Sequence, residues 1–100
     1  MIFLDWDDNK NKINIQKHGI SFKEAEEAFY DHDAILIYDQ EHSDSEDRFL
    51  LIGLNKTASV LVVVHCYREL FDNSGIEIVR IISARKATKN EEKDYWKGIK

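Results

Sequence analysis

The residue types best suited to chemistry lie near the end of the chain, in the segment Arg80-Ile81-Ile82-Ser83-Ala84-Arg85-Lys86. A guanidinium group offers planar, paired donors that match the oxygens of a phosphate. The β-branched residues of this segment favour a strand, with Arg85 at its end and free to turn toward a site. Alternation along that strand predicts two faces: Arg80 and Ile82 on one, Val79, Ile81 and Ser83 on the other.

A further arginine, Arg68, ends the preceding apolar segment. If the two segments form a hairpin that turns at residues 73 and 74, Arg68 lies near Arg80. Two arginines on neighbouring strands would suit a phosphate. Cross-strand ion pairs with Glu69 or Glu77 would account for them equally well. Spacing alone leaves both interpretations open.

Two other short segments, Lys17-His18-Gly19 and Glu46-Asp47-Arg48, could transfer protons or hold charge. Histidine titrates near neutrality and is the commonest general acid or base. A cation at the C-terminus of a helix is also stabilised by the helix dipole, so His18 has a structural explanation as well. Arg48 could bind phosphate and Glu46 could orient it or act as a base, although an ordinary surface salt bridge fits them too.

Sites of other kinds have little support in the sequence. The polar loop contains four hard metal ligands, but their spacing matches neither an EF-hand nor HExxH: Glu41, His42, Asp44 and Glu46. His65 and Cys66 are adjacent in a predicted strand and point to opposite faces, so they cannot easily form a catalytic pair. Four aromatic residues could stack on bases, but core packing explains them as well: Trp6, Tyr67, Tyr95 and Trp96. We therefore predict no metal site and no cofactor.

Length and composition indicate one globular domain spanning residues 1–100. Of the 100 residues, 43% are hydrophobic and 33% are charged, which is typical of a folded chain. A single cysteine suits a reducing cytosol. The longest apolar run, Val60–Val64, is far too short to cross a membrane, and no basic and apolar leader opens the chain. We expect a cytoplasmic protein with no membrane contact.

Charge is segregated along the chain. The net charge of −5 argues against a protein that coats DNA. Residues 24–50 contain ten acidic residues and one basic residue, whereas residues 80–100 contain seven basic and three acidic residues. Folding could therefore gather a local positive site on an acidic protein. An ordinary mixed-charge surface is the alternative.

Hydrophobic periodicity and capping residues predict the elements that position these side chains. A strand at Ile2–Trp6 precedes a helix that is capped by Asp7 and ends at His18, with Gly19 at C′. Two Ser/Thr-x-x-Glu capping boxes, Ser21 with Glu24 and Thr88 with Glu91, open two more helices. Four strands lie between those two helices, at residues 34–39, 48–54, 59–68 and 76–83. The order β-α-α-β-β-β-β-α predicts an α+β two-layer domain, with an antiparallel sheet and helices on one face.

Many of these residues form an ordered set that resembles the BrnT toxins of bacterial toxin–antitoxin pairs, over about ninety residues. The set begins with Phe3, Trp6-Asp7, Lys10-Asn11, Asn14 and Lys17-His18-Gly19-Ile20. It continues through Phe22, Glu24-Ala25, Phe29, Asp31, Glu46, Arg48, Gly53 and Arg68. It ends with Arg80-Ile81-Ile82-Ser83-Ala84-Arg85, Ala87-Thr88, Glu91 and Tyr95. The segment before Arg68 departs from the family pattern, so His65 receives no role from the resemblance.

The resemblance implies a RelE-like fold and a small ribonuclease that arrests translation. It also implies a ribbon-helix-helix antitoxin of the BrnA type as partner, with operator DNA contacted only through the antitoxin. RNA cleavage without a metal needs proton transfer and positive charge around the phosphate. For catalysis we assign His18, Lys17, Glu46, Arg48, Ser83 and Arg85. For binding RNA phosphates we assign Arg68, Arg80 and Lys86. The site is expected where the ends of the last strands meet the first helix.

Two other functions remain compatible with the sequence. A non-catalytic protein-binding module would use the arginines structurally and dock a partner on its acidic face. A toxin that has lost activity could persist as a co-repressor. Cleavage of RNA separates the enzyme from both alternatives.

Overall fold

The elements follow one another in the predicted order, β-α-α-β-β-β-β-α. The computed structural model describes residues 3–69 and 77–98; the turn predicted at Asp72–Gly75 lies outside them. The first half contains β1 (Phe3–Asp5), α1 (Asp8–His18), α2 (Phe22–Ala28), β2 (Ile35–Tyr38) and a short 3-10 helix (Gln40–His42). The second half contains β3 (Phe49–Leu54), β4 (Val60–Glu69), β5 (Glu77–Lys86) and α3 (Lys89–Gly98). None of the helices in these ranges is long and apolar enough to cross a membrane.

The strands form one mostly antiparallel sheet in the order β1-β5-β4-β3-β2. Strands β2 to β5 make the predicted antiparallel meander. Strand β1 pairs in parallel with β5 at the sheet edge. The α+β class is therefore confirmed, with one parallel pair added to the antiparallel sheet.

Capping residues begin and end the helices as predicted. The Asp7 carboxylate accepts hydrogen bonds from the backbone N–H groups of Asn9 and Lys10, and Gly19 ends α1 at φ 68°. Left-handed backbone of this kind favours glycine. Thr88 and Glu91 form a reciprocal box, because each side chain accepts from the other's backbone N–H. Ser21 caps α2 in the same way, but the Glu24 carboxylate accepts from the side chain of Asn55 instead.

Apolar residues cover both faces of the sheet, so the prediction that all helices lie on one face is wrong for α3. On the first face, Leu61, Val63 and Ile81 pack with Phe22, Ala25 and Ala28 of α2. On the second face, Ile52, Val60 and Val62 pack with Tyr95 of α3. Strand β4 has consecutive apolar residues rather than alternating ones, so both of its faces must be covered.

Helix α1 lies along an edge of β5 that no strand in residues 3–69 and 77–98 covers. Strand β1 has only three residues and pairs β5 at Ile78, Val79 and Arg80. Further along β5, the Asn14 amide takes the place of a strand: its Oδ1 accepts from Ala84 N at 3.0 Å and its Nδ2 donates to Ala84 O at 2.8 Å. Nδ2 also donates to the carbonyl of Ile20 at 2.8 Å. The side chain of Asn14 therefore joins α1, the loop after it and β5.

We predict that Asn14→Ala destabilises the domain by about 2–4 kcal/mol, because it leaves buried backbone groups of Ala84 and Ile20 without partners. Urea unfolding followed by circular dichroism measures the change. Asn9→Ala, at an exposed position of the same helix, is the control and should change stability by less than about 0.5 kcal/mol. Equal stability of the two variants would contradict the role given to Asn14.

His65 lies in the core rather than in a site. Its side chain is fully buried between the rings of Phe29 and Phe49, with centroid distances of 5.0 and 6.0 Å. Nδ1 donates to the Val63 carbonyl at 3.1 Å, and the Tyr67 hydroxyl donates to Nε2 at 3.2 Å. Burial lowers the pKa of His65, so the fold holds the imidazole neutral. His65 therefore has a structural role in the core, which the sequence left open.

The lowered pKa predicts a loss of stability in mild acid. The unfolded chain binds a proton near pH 6.5 and the folded chain does so only at lower pH, so His65 favours unfolding progressively below about pH 6.5. His65→Gln should lower the free energy of unfolding at pH 7.5 but make it fall less between pH 7.5 and 5.5. Urea midpoints at the two pH values test this. His32→Gln, at an exposed position, should keep the wild-type pH dependence.

Candidate active site

A β-bulge in β5 determines where Ser83 points. Ser83 pairs with Val64, but the next pair along the two strands is Ile81 with His65, so Ile82 is an extra residue on β5. Such a bulge reverses the alternation of side chains beyond it. Simple alternation predicted Ser83 on the same face of the strand as Ile81. Because of the bulge, Ser83 is not on that face, and Ile81 shares the core with Ala84 instead.

The larger of two depressions beside Ser83 gathers three of the predicted catalytic residues. It has a volume of about 400 Å³. Arg48, Ser83 and Arg85 all line it, together with residues of the 3-10 helix and apolar side chains: Asp39, Glu41, His42, Leu50, Val64 and Ile82. Arg48 enters from the start of β3, and Ser83 and Arg85 from β5. Arg48 is more than thirty positions from Ser83 and Arg85 in the sequence, and the sheet brings the three together.

The smaller depression shares Ser83 with the larger one and contains two more of the predicted catalytic residues. Its volume is about 330 Å³, and it is formed between α1 and β5. Its lining includes Lys17 and His18 with Ile82 and Ser83, and also Lys10, Ile13 and Asn14. Ile82 and Ser83 line both depressions. The smaller depression lies where α1 meets β5, the place at which the sequence led us to expect a site.

Arg85 is held by a bidentate ion pair with Glu91, which sequence analysis did not foresee. Nη1 and Nη2 donate to the two carboxylate oxygens of Glu91 at 2.7 and 2.9 Å. Nη1 also donates to the Lys86 carbonyl at 3.3 Å. The hydrogen bonds from Arg85 lower the pKa of Glu91 to about 2, so the carboxylate is ionised at neutral pH. Within the described residues, the N–H groups on the Nε and Nη2 edge of the Arg85 guanidinium remain able to donate to a ligand.

Four other predicted site residues lie outside both depressions. Arg80 forms an ion pair with Asp5 of β1 at 2.5 Å, a partner that the sequence did not suggest. Arg68 is exposed on β4 opposite Ile78, beyond the bulge. Lys86 is exposed at the end of β5, and Glu46 is exposed in the loop before β3.

His42 is a residue of the larger depression that the sequence suggested only as a metal ligand. Its Nδ1 lies 2.9 Å from Oδ2 of Asp39. Ser43, next in the chain, accepts from Arg48 N at 3.0 Å and donates to the Asp39 carbonyl, which fixes the 3-10 helix against the start of β3. The sequence did contain a signal for the contact between Asp39 and His42: an acidic residue lies three positions before a histidine, in a segment that turns back on itself. In residues 3–69 and 77–98, no three His, Cys, Asp or Glu side chains cluster as metal ligands.

We predict that Glu91→Gln destabilises the domain by about 1–2 kcal/mol, because a charge-assisted pair and a helix cap are weakened together. Ionised Glu91 stabilises the fold above its unfolded pKa of about 4.5, and this contribution disappears as the pH falls toward 2. The difference from wild type should therefore shrink below pH 4.5. Chemical unfolding at pH 7 and pH 3 measures it, with the exposed neighbour Glu92→Gln as control. Equal unfolding of both variants at pH 7 would contradict the prediction.

Comparisons with known proteins agree on one family. The family model described as "Ribonuclease toxin, BrnT, of type II toxin-antitoxin system" matches residues 6–91. Among solved structures, the Brucella abortus ribonuclease toxin BrnT is similar, with a TM-score of 0.61 and 23% identity over 89% of this chain and 100% of that one. At this identity the likeness shows a shared fold. Comparison with curated proteins finds no significant match.

Proposed function

This chain belongs to the BrnT family of ribonuclease toxins of type II toxin–antitoxin systems, and from that premise we propose that it cleaves RNA internally, without a metal, and thereby arrests translation. The observation that supports this most strongly is the larger depression, which Arg48, Ser83 and Arg85 line together.

The chemistry of RNA defines what the site must supply. The ribose 2′-hydroxyl attacks the adjacent phosphorus, and the bond to the leaving 5′-oxygen breaks. A base must take the proton of the 2′-hydroxyl, and an acid must protonate the leaving oxygen. Negative charge grows on the phosphate oxygens in between, and fixed positive groups stabilise it.

The two arginines are suited to that phosphate in different ways. Glu91 occupies one edge of the Arg85 guanidinium and fixes its orientation, so that the Nε and Nη2 edge can donate two hydrogen bonds to a phosphate. Arg48 is half-buried and lines the depression. The carboxylates of Asp39 and Glu41 line the same depression and limit its positive charge. A phosphate must therefore bind close to the arginines to be held.

Residues of the smaller depression complete the proposed site. The Ser83 hydroxyl borders both depressions and can hydrogen-bond the phosphate. His18 is the proposed base for the 2′-hydroxyl, with Lys17 as electrostatic support. Glu46 remains the alternative base. For Arg68, Arg80 and Lys86 we propose contacts with RNA beyond the cleaved phosphate, because these residues lie outside both depressions.

Membership of a type II family implies an antitoxin partner. We propose a BrnA-like ribbon-helix-helix protein, which would contact operator DNA on behalf of the complex. The ten acidic residues in segment 24–50 suit a basic binding surface on that partner. Action in the cytoplasm, where messenger RNA is translated, follows from the proposed function.

We predict that Arg48→Ala and Arg85→Ala each slow RNA cleavage about 100-fold or more, by removing charge stabilisation of the transition state. RNA ends mapped in bacteria after tightly induced expression, and cleavage by the purified proteins, measure the effect. Lys23→Ala removes one exposed positive charge on α2, away from both depressions, and should cleave like wild type.

The outcomes separate the candidate functions. Cleavage by wild type that both arginine variants retain would remove these residues from the site. Intact RNA with soluble, folded wild-type protein would favour a binding module or an inactive co-repressor.

A further inference from the structure

His42 and Asp39 contact each other in the larger depression, and neither has a role in the reaction as described so far. The distance of 2.9 Å between His42 Nδ1 and Asp39 Oδ2 is that of a hydrogen bond. The His42 side chain is 64% exposed, so a substrate can reach it. Asp39 is only 13% exposed and is held in place through its carbonyl by Ser43. A largely buried carboxylate on a held backbone thus contacts an accessible imidazole.

This contact assigns the two ring nitrogens different tasks. When Nδ1–H donates to the Asp39 carboxylate, Nε2 is left as the atom that can exchange a proton with a substrate. A buried carboxylate that holds a histidine in one tautomer is a common arrangement for proton transfer. In an exposed histidine without such a partner, both the tautomer and the ring orientation would be free.

The position of His42 complements that of His18. His18 lines the smaller depression and His42 the larger, and Ser83 lines both. In-line attack on phosphorus requires the entering and leaving oxygens on opposite sides of the phosphate. A phosphate bound at Ser83 would adjoin both depressions, so that each histidine could face it from its own depression.

We propose that His42, positioned by Asp39, is the general acid of RNA cleavage; this inference rests on the proposed ribonuclease function. His18 takes the proton of the 2′-hydroxyl as the bond from O2′ to phosphorus forms. His42 Nε2–H gives its proton to O5′ as the bond from phosphorus to O5′ breaks. The products are a 2′,3′-cyclic phosphate and a 5′-hydroxyl, and the two histidines finish with their protonation states exchanged.

The Asp39 carboxylate can stabilise the positive imidazolium that a general acid requires. In the proposed reaction the leaving oxygen lies in the larger depression, where Arg48 and Arg85 are available to stabilise its developing negative charge. The acidic groups that line the same depression are Asp39 and Glu41. In the described residues, no basic side chain other than the two arginines lines this depression with His42.

A change of leaving group tests the assignment. Single-turnover cleavage is measured on an RNA that wild type cleaves and on the same RNA with sulfur replacing the 5′ bridging oxygen. A thiolate leaves without protonation, so a missing general acid matters only for the oxygen substrate. We expect His42→Ala to slow cleavage of the oxygen substrate by about 10²- to 10⁴-fold and to cleave the sulfur substrate at nearly the wild-type rate.

Three further variants sharpen the result. Asp39→Asn should give a smaller loss with the same selectivity for the oxygen substrate, because His42 is present but misoriented. His32→Ala, at an exposed histidine outside both depressions, should match wild type on both substrates. His18→Ala, which removes the base, should slow both substrates. Circular dichroism and urea unfolding establish that each variant is folded.

The possible failures are distinguishable. If His42→Ala cleaves the oxygen substrate like wild type, the inference is wrong and the ribonuclease function stands. If His42→Ala slows cleavage of both substrates equally, His42 is not the general acid. If wild type cleaves neither substrate, the proposed function itself fails.

Discussion

The unpaired edge of β5 is the constraint on which the site depends. Because β1 ends at Asp5, no strand among the described residues pairs with the backbone of β5 beyond Arg80 on that side. Buried backbone groups without partners are costly, and the Asn14 side chain satisfies those of Ala84. That contact holds α1 against the sheet edge and so places Lys17 and His18 beside Ser83. The Asn14 hydrogen bonds that satisfy this sheet edge therefore also position α1, which forms one side of the proposed site.

Local charge pairing makes a phosphate site possible on an acidic protein. Glu91 caps α3 through Thr88 N and also fixes the Arg85 guanidinium, so helix start and site geometry depend on one carboxylate. On the opposite wall, Asp39 orients His42 in the same manner. In both cases an acidic residue orients a group proposed to act on RNA. The net charge of −5 therefore says little about the charge at the site.

Local patterns in the sequence predicted most of the fold, because caps and hydrophobic periodicity act over a few residues. The caps at Asp7 and Thr88 and the meander of β2 to β5 are examples. The bulge at Ile82 was not predictable, since it depends on how two distant strands pair. For the same reason the contact of Arg80 with Asp5 was not foreseen. The role proposed for His42 was also not predictable, because it depends on tertiary placement beside Arg48 and Arg85.

We propose that the larger depression cleaves RNA with the 2′-hydroxyl as nucleophile and with its own side chains, not a metal, carrying the charge. An RNA and the same strand with a single 2′-deoxyribose at the cleaved position, both in excess EDTA, distinguish this mechanism from the others. We expect cleavage of the RNA to a 2′,3′-cyclic phosphate and no cleavage at the deoxy position. Cleavage at the deoxy position, or activity that disappears with EDTA and returns with Mg²⁺, would overturn the proposal.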